Sequence, residues 1–205
     1  TLFFTDSKAI GTLIYSVMVA VVTTIVCLLI AYPVAYLLAK GEFRRGNVLL
    51  MLFVMPMWIN FTLRITALKE ILTLIEGNLA FHPFLNTVIG MTYDFLPFMI
   101  LPIYNALVRI RKDLIEAARD LGAGNLLVFF KIILPLSLSG VFSGIIMVFV
   151  PALTSFVISD LLGGGKVLLI GNVIEQSFMQ GMDWHLGSGL SIVLMIFVIA
   201  SMAFM

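Results

Sequence analysis

The sequence predicts an all-α, polytopic membrane helix bundle, and three observations carry that prediction. Hydrophobic residues make up 61% of the 205 positions and charged residues only 11%. An ordinary soluble domain carries about 25% charge. The mean hydropathy is +1.16. The few charges are bunched, leaving apolar stretches long enough to cross a bilayer at ~20 residues each. Prolines occur inside those stretches, as neighbouring helices in a membrane bundle permit. A net charge of +1 leaves no basic footprint for nucleic acid. One cysteine, Cys27, lies in an apolar run, and the two histidines, His82 and His185, are far apart. No disulfide framework, metal centre or cofactor is therefore expected. The chain starts at Thr1 and ends on the apolar run Ser201–Met205. It is expected to be part of a longer protein, with a further span before residue 1, and to form a single membrane domain over 1–205.

Five spans follow in order. The first, 9–39, contains no charge. The second, 47–63, has Pro56 in its middle. The third, 84–108, carries Asp94, Pro97 and Pro102. The fourth is 132–159 and the fifth 187–205. Interrupted helices of this kind are typical of transporters. Alternating the loops puts Lys40, Arg44, Arg45, Arg109, Arg111, Lys112, Arg119 and Lys131 on one side. Lys8, Arg64, Lys69 and Lys166 fall on the other. The richer side is expected to be cytoplasmic. Lys40–Gly46 is expected as a tight inner hairpin, and Arg64–Pro83 as an outer stretch with a helical apolar pattern near the membrane surface. The apolar content of Leu161–Leu186 suggests that it dips toward the membrane or packs on other helices.

The segment 109–131 is the least membrane-like part. Leu114, Ala118 and Leu121 share a helical face with Ile115 beside them, and Asp113, Glu116, Arg119 and Asp120 fill the rest. That is a short amphipathic helix, ended by Gly122-Ala123-Gly124. A second short turn, Leu126–Phe130, is expected before the chain returns to the membrane at Ile132. The two would form a glycine-elbowed knob, and a plain solvated loop is the alternative.

Here the residues match a known pattern. Glu116-Ala117-Ala118, three residues, Gly122, nine residues, then Ile132-x-Leu134-Pro135 resembles the "EAA" loop of ABC importer permeases. The stretches Met55–Asn60, Leu96–Met99, Glu116–Ala123, Ser159–Gly164 and Leu169–Ile174 resemble the spermidine/putrescine branch of that family. Asn78–Pro83 is shorter than that branch leads one to expect. The resemblance implies a type I importer fold in the cell membrane of a bacterium and movement of a polyamine by alternating access. It also implies that Asp113, Glu116, Ala117, Ala118, Arg119, Asp120, Gly122, Leu134 and Pro135 couple the chain to ABC ATPase subunits, two copies in all. A second homologous permease and an extracellular or periplasmic substrate-binding protein complete the implied complex.

The chain is not expected to be an enzyme. A phosphate cradle needs Gly-x4-Gly-Lys-Ser/Thr, and Gly163-Gly164-Gly165-Lys166-Val167 has neither the spacing nor the hydroxyl. No paired-carboxylate or Ser/His/Asp arrangement is evident.

Candidate path residues are Trp58, Tyr93, Asp94, Tyr104 and Asp160. Asp94 lies ~15 Å along the third span, near the middle of a ~30 Å core, where an ionised side chain costs ~2.5–3.5 kcal/mol on insertion scales. It shares a stripe with Thr87, Gly90, Pro97, Leu101 and Asn105. It can act as a transient partner for an ammonium group or as a structural pin. Tyr93 and Tyr104 can add cation–π contacts, or simply pack. Trp58 suits either an interface anchor or a cavity wall, and Asp160 an outer gate or a solvated helix end. Two rival functions remain at this level. One is the same architecture carrying thiamine, iron or another small solute; the other is an ion-driven carrier using Asp94.

Overall fold

The computed structural model describes residues 7–41, 46–179, 181 and 184–204, and those residues form helices joined by short turns, with no strand among them. Helix α1 is Ser7–Lys40, with Pro33 inside it. Helix α2, Gly46–Val54, runs into a 3-10 turn, Met55–Trp58. Helix α3 is Phe61–Glu76 and α4 is Pro83–Arg109. Helix α5, Lys112–Asp120, is the short exposed one. Helix α6, Leu134–Thr154, is preceded by a helical turn, Asn125–Val128, and a π-turn, Phe129–Ile133. Helices α7, Val157–Leu162, α8, Ile170–Met179, and α9, Trp184–Phe204, follow.

The centre is a three-helix pack of α1, α4 and α6. Of the long helices α4 is the most buried and α9 the least. Small residues set the closeness of the α4–α6 approach. A Cβ on Gly140 would lie 2.6 Å from both the Pro102 carbonyl oxygen and the Ala106 Cβ. One on Gly144 would lie 2.6 Å from the Met99 Sδ. Membrane helices associate through such small-residue contacts because lipid offers no hydrophobic drive between them. Polar fastenings add to this. The Tyr32 and Ser137 hydroxyls lie 2.9 Å apart, joining α1 to α6. Lys40 Nζ donates to the Ile110 carbonyl at 2.7 Å and ties the end of α1 beside α5. Phe129 presents edges to both Tyr32 and Tyr36.

Among the described residues four helical runs are long and apolar enough to cross a membrane: Gly11–Lys40, Pro83–Arg109, Asn125–Thr154 and Trp184–Met202. The expected continuous second span, 47–63, is broken. Val48–Trp58 and Phe61–Glu76 meet at 96°, and they amount to a fifth crossing only if the bent pair is taken as one. The cause is local. Pro56 forces a tight turn closed by Ile59 N–H to the Pro56 carbonyl, and Ile59 is extended. Asn60 then starts a new helix, its Oδ1 accepting from Thr62 N–H at 2.9 Å and Leu63 N–H at 3.4 Å. Such a side-chain cap satisfies donors that a helix start leaves open.

The expected fourth span, 132–159, is shifted in the same way. The helical run begins at Asn125 and ends at Thr154. There the Thr154 hydroxyl turns back onto the Val150 and Pro151 carbonyls, and Ser155 is extended. Ser159 and Asp160 therefore belong to the separate helix α7. The second turn of the expected knob is likewise the foot of the α6 run rather than a free element. The segment after α7 packs on other helices: Ile170 N–H donates to Ser16 Oγ of α1 at 2.7 Å. Lys166 Nζ donates to the Ala80 carbonyl at 2.9 Å and ties this segment to the α3–α4 connection. Glu42–Arg45 of the expected hairpin, Asp6 and Asp183 lie outside the described residues.

Candidate functional site

Two features concentrate the chemistry, and the first is α5 with the turn that ends it. Asp113 stands in its first turn, paired with the exposed Arg111 guanidinium and accepting from Leu114 N–H at 3.1 Å. A carboxylate there suits the positive end of the helix dipole. At the other end Gly122 has φ +86°, the left-handed region that glycine occupies without strain. Ala123 N–H reaches back to the Ala118 carbonyl at 3.0 Å and Gly122 N–H to the Arg119 carbonyl at 2.8 Å. This pair of bonds is a Schellman ending, which stops a helix and turns the chain sharply. Arg119 Nη2 donates to Asn125 Oδ1 at 3.2 Å, pinning α5 to the first turn of the α6 run.

Glu116, Ala117, Arg119, Asp120 and Gly122 are all exposed. Ile115, Ala118 and Ala123 turn inward against the core. The inward face differs from the expected one: Leu114 and Leu121 point outward, and Leu121 is 89% exposed. The cause is that Leu121 already lies past the helix, at its cap. Leu134 and Pro135 sit apart from α5, in the first turn of α6.

The second feature is buried. Asp94, in the middle of α4, forms an ion pair with Arg64 of α3 through the Arg64 Nη2 and Asp94 Oδ1 atoms. The two residues are 4% and 8% exposed. The Arg64 Nε and Nη1 atoms are buried without a hydrogen-bond partner among the described residues. Both residues line a cavity of about 390 Å³ whose wall is otherwise mostly apolar, with Met57, Phe61, Phe95, Phe98 and Phe156 among its members. A larger cleft of about 550 Å³ lies between α4 and α6 beside α5, lined by Asn105, Arg109, Arg111, Ser139 and Ser143.

The remaining candidates do not gather around Asp94. Trp58 is 85% exposed at the bend between α2 and α3. Tyr93, next to Asp94 in sequence, is 43% exposed and does not line that cavity, while Tyr104 is buried. Asp160 is exposed on α7, where its Oδ1 accepts from Asn172 Nδ2 at 2.5 Å. Sequence reasoning missed three residues. The charge pattern assigns Arg64 to an outer loop, although a lone acid within a span implies a cation nearby. Asn125 anchors the knob. Asn172, buried at the start of α8, uses its whole amide: Oδ1 accepts from Ser159 Oγ and Leu169 N–H, and Nδ2 donates to the Phe156 carbonyl and to Asp160.

Residues 31–205 match the family described as "Binding-protein-dependent transport system inner membrane component". The chain is 43% identical over 185 residues to the "Spermidine/putrescine transport system permease protein PotB" of Haemophilus influenzae, covering 83% of this chain and 65% of that protein. It is 39% identical over 198 residues to the protein of the same name from Escherichia coli, covering 90% of this chain and 72% of that one. A "PotB homolog" of Mycoplasma genitalium is 34% identical over 177 residues, 79% of this chain and 60% of its own length. The chain thus spans about two thirds of the length of the relatives it matches.

Proposed function

The chain belongs to the family of binding-protein-dependent transport system inner membrane components, and from that membership we propose that it is a permease subunit of an ATP-driven polyamine importer. It forms one membrane domain over 1–205 in the cytoplasmic membrane of a bacterium. The observation that carries this reading is α5: an exposed Glu116-Ala117-Ala118 helix, ended by a left-handed Gly122 and fixed at its base to the α6 run. The names of its relatives supply the cargo, spermidine or putrescine.

In this reading α5 faces the cytoplasm and docks in a groove of an ATPase subunit, through Asp113, Glu116, Ala117, Ala118, Arg119, Asp120 and Gly122. Leu134 and Pro135 carry the motion into α6. Two ATPase copies close on ATP and press on α5 of this chain and on its counterpart in a homologous permease. Because α5 is tied to the α6 run by Arg119 and Asn125, the push is transmitted to helices packed on α4. The bundle rocks and opens outward, toward a substrate-binding protein that delivers the polyamine. Trp58, Tyr93, Asp94, Tyr104 and Asp160 are the proposed path residues. Asp94 is the central one, with Phe61, Phe95, Phe98 and Phe156 around its cavity able to hold an ammonium by cation–π attraction of ~0.5–2 kcal/mol each. An ion-driven carrier centred on Asp94 fits less well, because it gives the exposed Glu116-Ala117-Ala118 helix and its left-handed Gly122 ending no role.

The test is uptake. The full-length protein, expressed with its neighbouring ATPase, second permease and binding protein, is expected to import labelled spermidine or putrescine only when ATP is supplied. Uptake that survives without any ATPase would refute the reading. Competition with unlabelled thiamine or ferric iron that abolishes uptake, where polyamines do not, would move it to another cargo.

A further inference from the structure

Resting on the reading above, we propose that Arg64 is a tethered stand-in for the cargo: it occupies Asp94 while the path is empty, and an ammonium group of the polyamine displaces it. Both groups are more than nine-tenths buried, and among the described residues they are the only charged side chains on the wall of the 390 Å³ cavity. The remaining wall is largely aromatic and aliphatic, which suits an alkyl ammonium chain. The pairing itself is thin. One guanidinium nitrogen meets one carboxylate oxygen, while Nε and Nη1 have no partner among the described residues. A structural pin of this residue pair ordinarily uses the guanidinium fork in two parallel bonds. A buried pair is held well only when its remaining donors are also satisfied. Arg64 therefore has an incomplete hold on Asp94, and a second cation can compete for the carboxylate.

The mounting of Arg64 supports exchange. It sits at the end of the first turn of α3, a helix that starts at the Ile59–Asn60 break, bent by 96° from what precedes it. Only Arg64, Ile65 and Leu72 of α3 are buried. Asp94, in contrast, is fixed in the middle of the most buried helix. The cation is thus on the lightly held element and the anion on the rigid one. Exchange of one cation for another never leaves the carboxylate bare, which removes the large cost of an unpaired buried charge. It also sets a specificity rule. A tethered cation acts at high effective concentration, so a monoamine displaces it poorly, whereas a chain with several ammonium groups gains further contacts on the aromatic wall.

The experiment measures transport kinetics of the assembled complex in proteoliposomes with labelled spermidine. Arg64→Gln frees Asp94 for cargo, so KM is expected to fall by about tenfold, in proportion to the fraction of time Arg64 now blocks the carboxylate. Its maximal rate falls as well, since cargo leaves more slowly, and monoamines become effective competitors. Arg64→Lys keeps a tethered cation and is expected to restore the native KM and selectivity. A KM for Arg64→Gln that is unchanged or raised overturns the proposal. Should Arg64→Gln fail to assemble, the double variant Arg64→Met/Asp94→Leu decides, because an apolar replacement of both members of a buried pair is commonly tolerated. That variant is expected to assemble and to lose saturable spermidine uptake. Native KM in the double variant, or its failure to assemble, marks the pair as purely structural and overturns the proposal. If the wild-type complex imports another solute but neither polyamine, the cargo reading and this inference fall together; native polyamine uptake with an indifferent Arg64→Gln removes the inference alone.

Discussion

Gly140 shows how much one hydrogen in place of a side chain decides here. The α4 backbone lies so close that a methyl group would meet the Pro102 carbonyl oxygen and Ala106 Cβ at 2.6 Å, with Ile103 Cα at 3.1 Å. Backbone cannot step aside as a flexible side chain can, so the two helices must part. Gly140→Ala is expected to destabilise the purified permease by about 1–3 kcal/mol, the usual cost of overpacking, and to lower its thermal midpoint in detergent. Gly189→Ala on α9, where nothing lies within 4 Å of the added methyl, is the control and is expected to leave the midpoint unchanged. Asn172 illustrates the opposite case, a buried polar side chain whose donors and acceptors are used on α7, the loop after it and Asp160. Arg64 stands between the two, buried like Asn172 but with two nitrogens unmet.

At the scale of the element, α5 is defined by its ending. Gly122 sits at φ +86° with open space around the position of a Cβ, so its requirement is purely conformational. Gly124, two residues on, has φ −68° and equally open space. Gly122→Ala is expected to cost about 1–2 kcal/mol, the penalty of a left-handed non-glycine residue, and to reduce ATP-driven uptake several-fold while the complex still assembles. Gly124→Ala is expected to transport normally. Equal behaviour of the two variants in an uptake assay would show that the elbow geometry is not what transmits the push. The same scale accounts for the misplaced boundaries. Pro56 is visible in the sequence in the middle of the second span, yet the 96° turn depends on Asn60 restarting a helix in a new direction. Hydropathy averaged along 47–63 cannot register a change of direction.

For the whole molecule, orientation is the property that function depends on most. In the proposed reading, the uneven distribution of lysine and arginine is expected to set α5 on the cytoplasmic side and the α3–α4 connection outside. Cys27, the one cysteine of these 205 residues, is fully buried and free, so a background with Cys27→Ser and any cysteine elsewhere in the full protein replaced is silent to thiol reagents. In that background a membrane-impermeant maleimide applied to intact cells is expected to label Asn78→Cys and not Glu116→Cys. Inverted vesicles are expected to reverse the pattern. Labelling of Glu116→Cys from outside would invert the topology and remove α5 from any ATPase.

Apolar composition, the spacing of the charges and the Glu116–Pro135 pattern identify this chain, without coordinates, as a helical membrane protein of the binding-protein-dependent transport family with a short amphipathic segment between two spans. Those signals accumulate along the chain, residue after neighbouring residue, so they can be read in order. Only the tertiary structure decided that Arg64 neutralises Asp94 across 30 positions of sequence, that Tyr93 and Trp58 lie away from that pair, and that Asn125 holds the knob. A buried charge is neutralised by whatever group the packing of two helices brings within a few ångströms, and that distance is a property of the packed helices, absent from either segment alone.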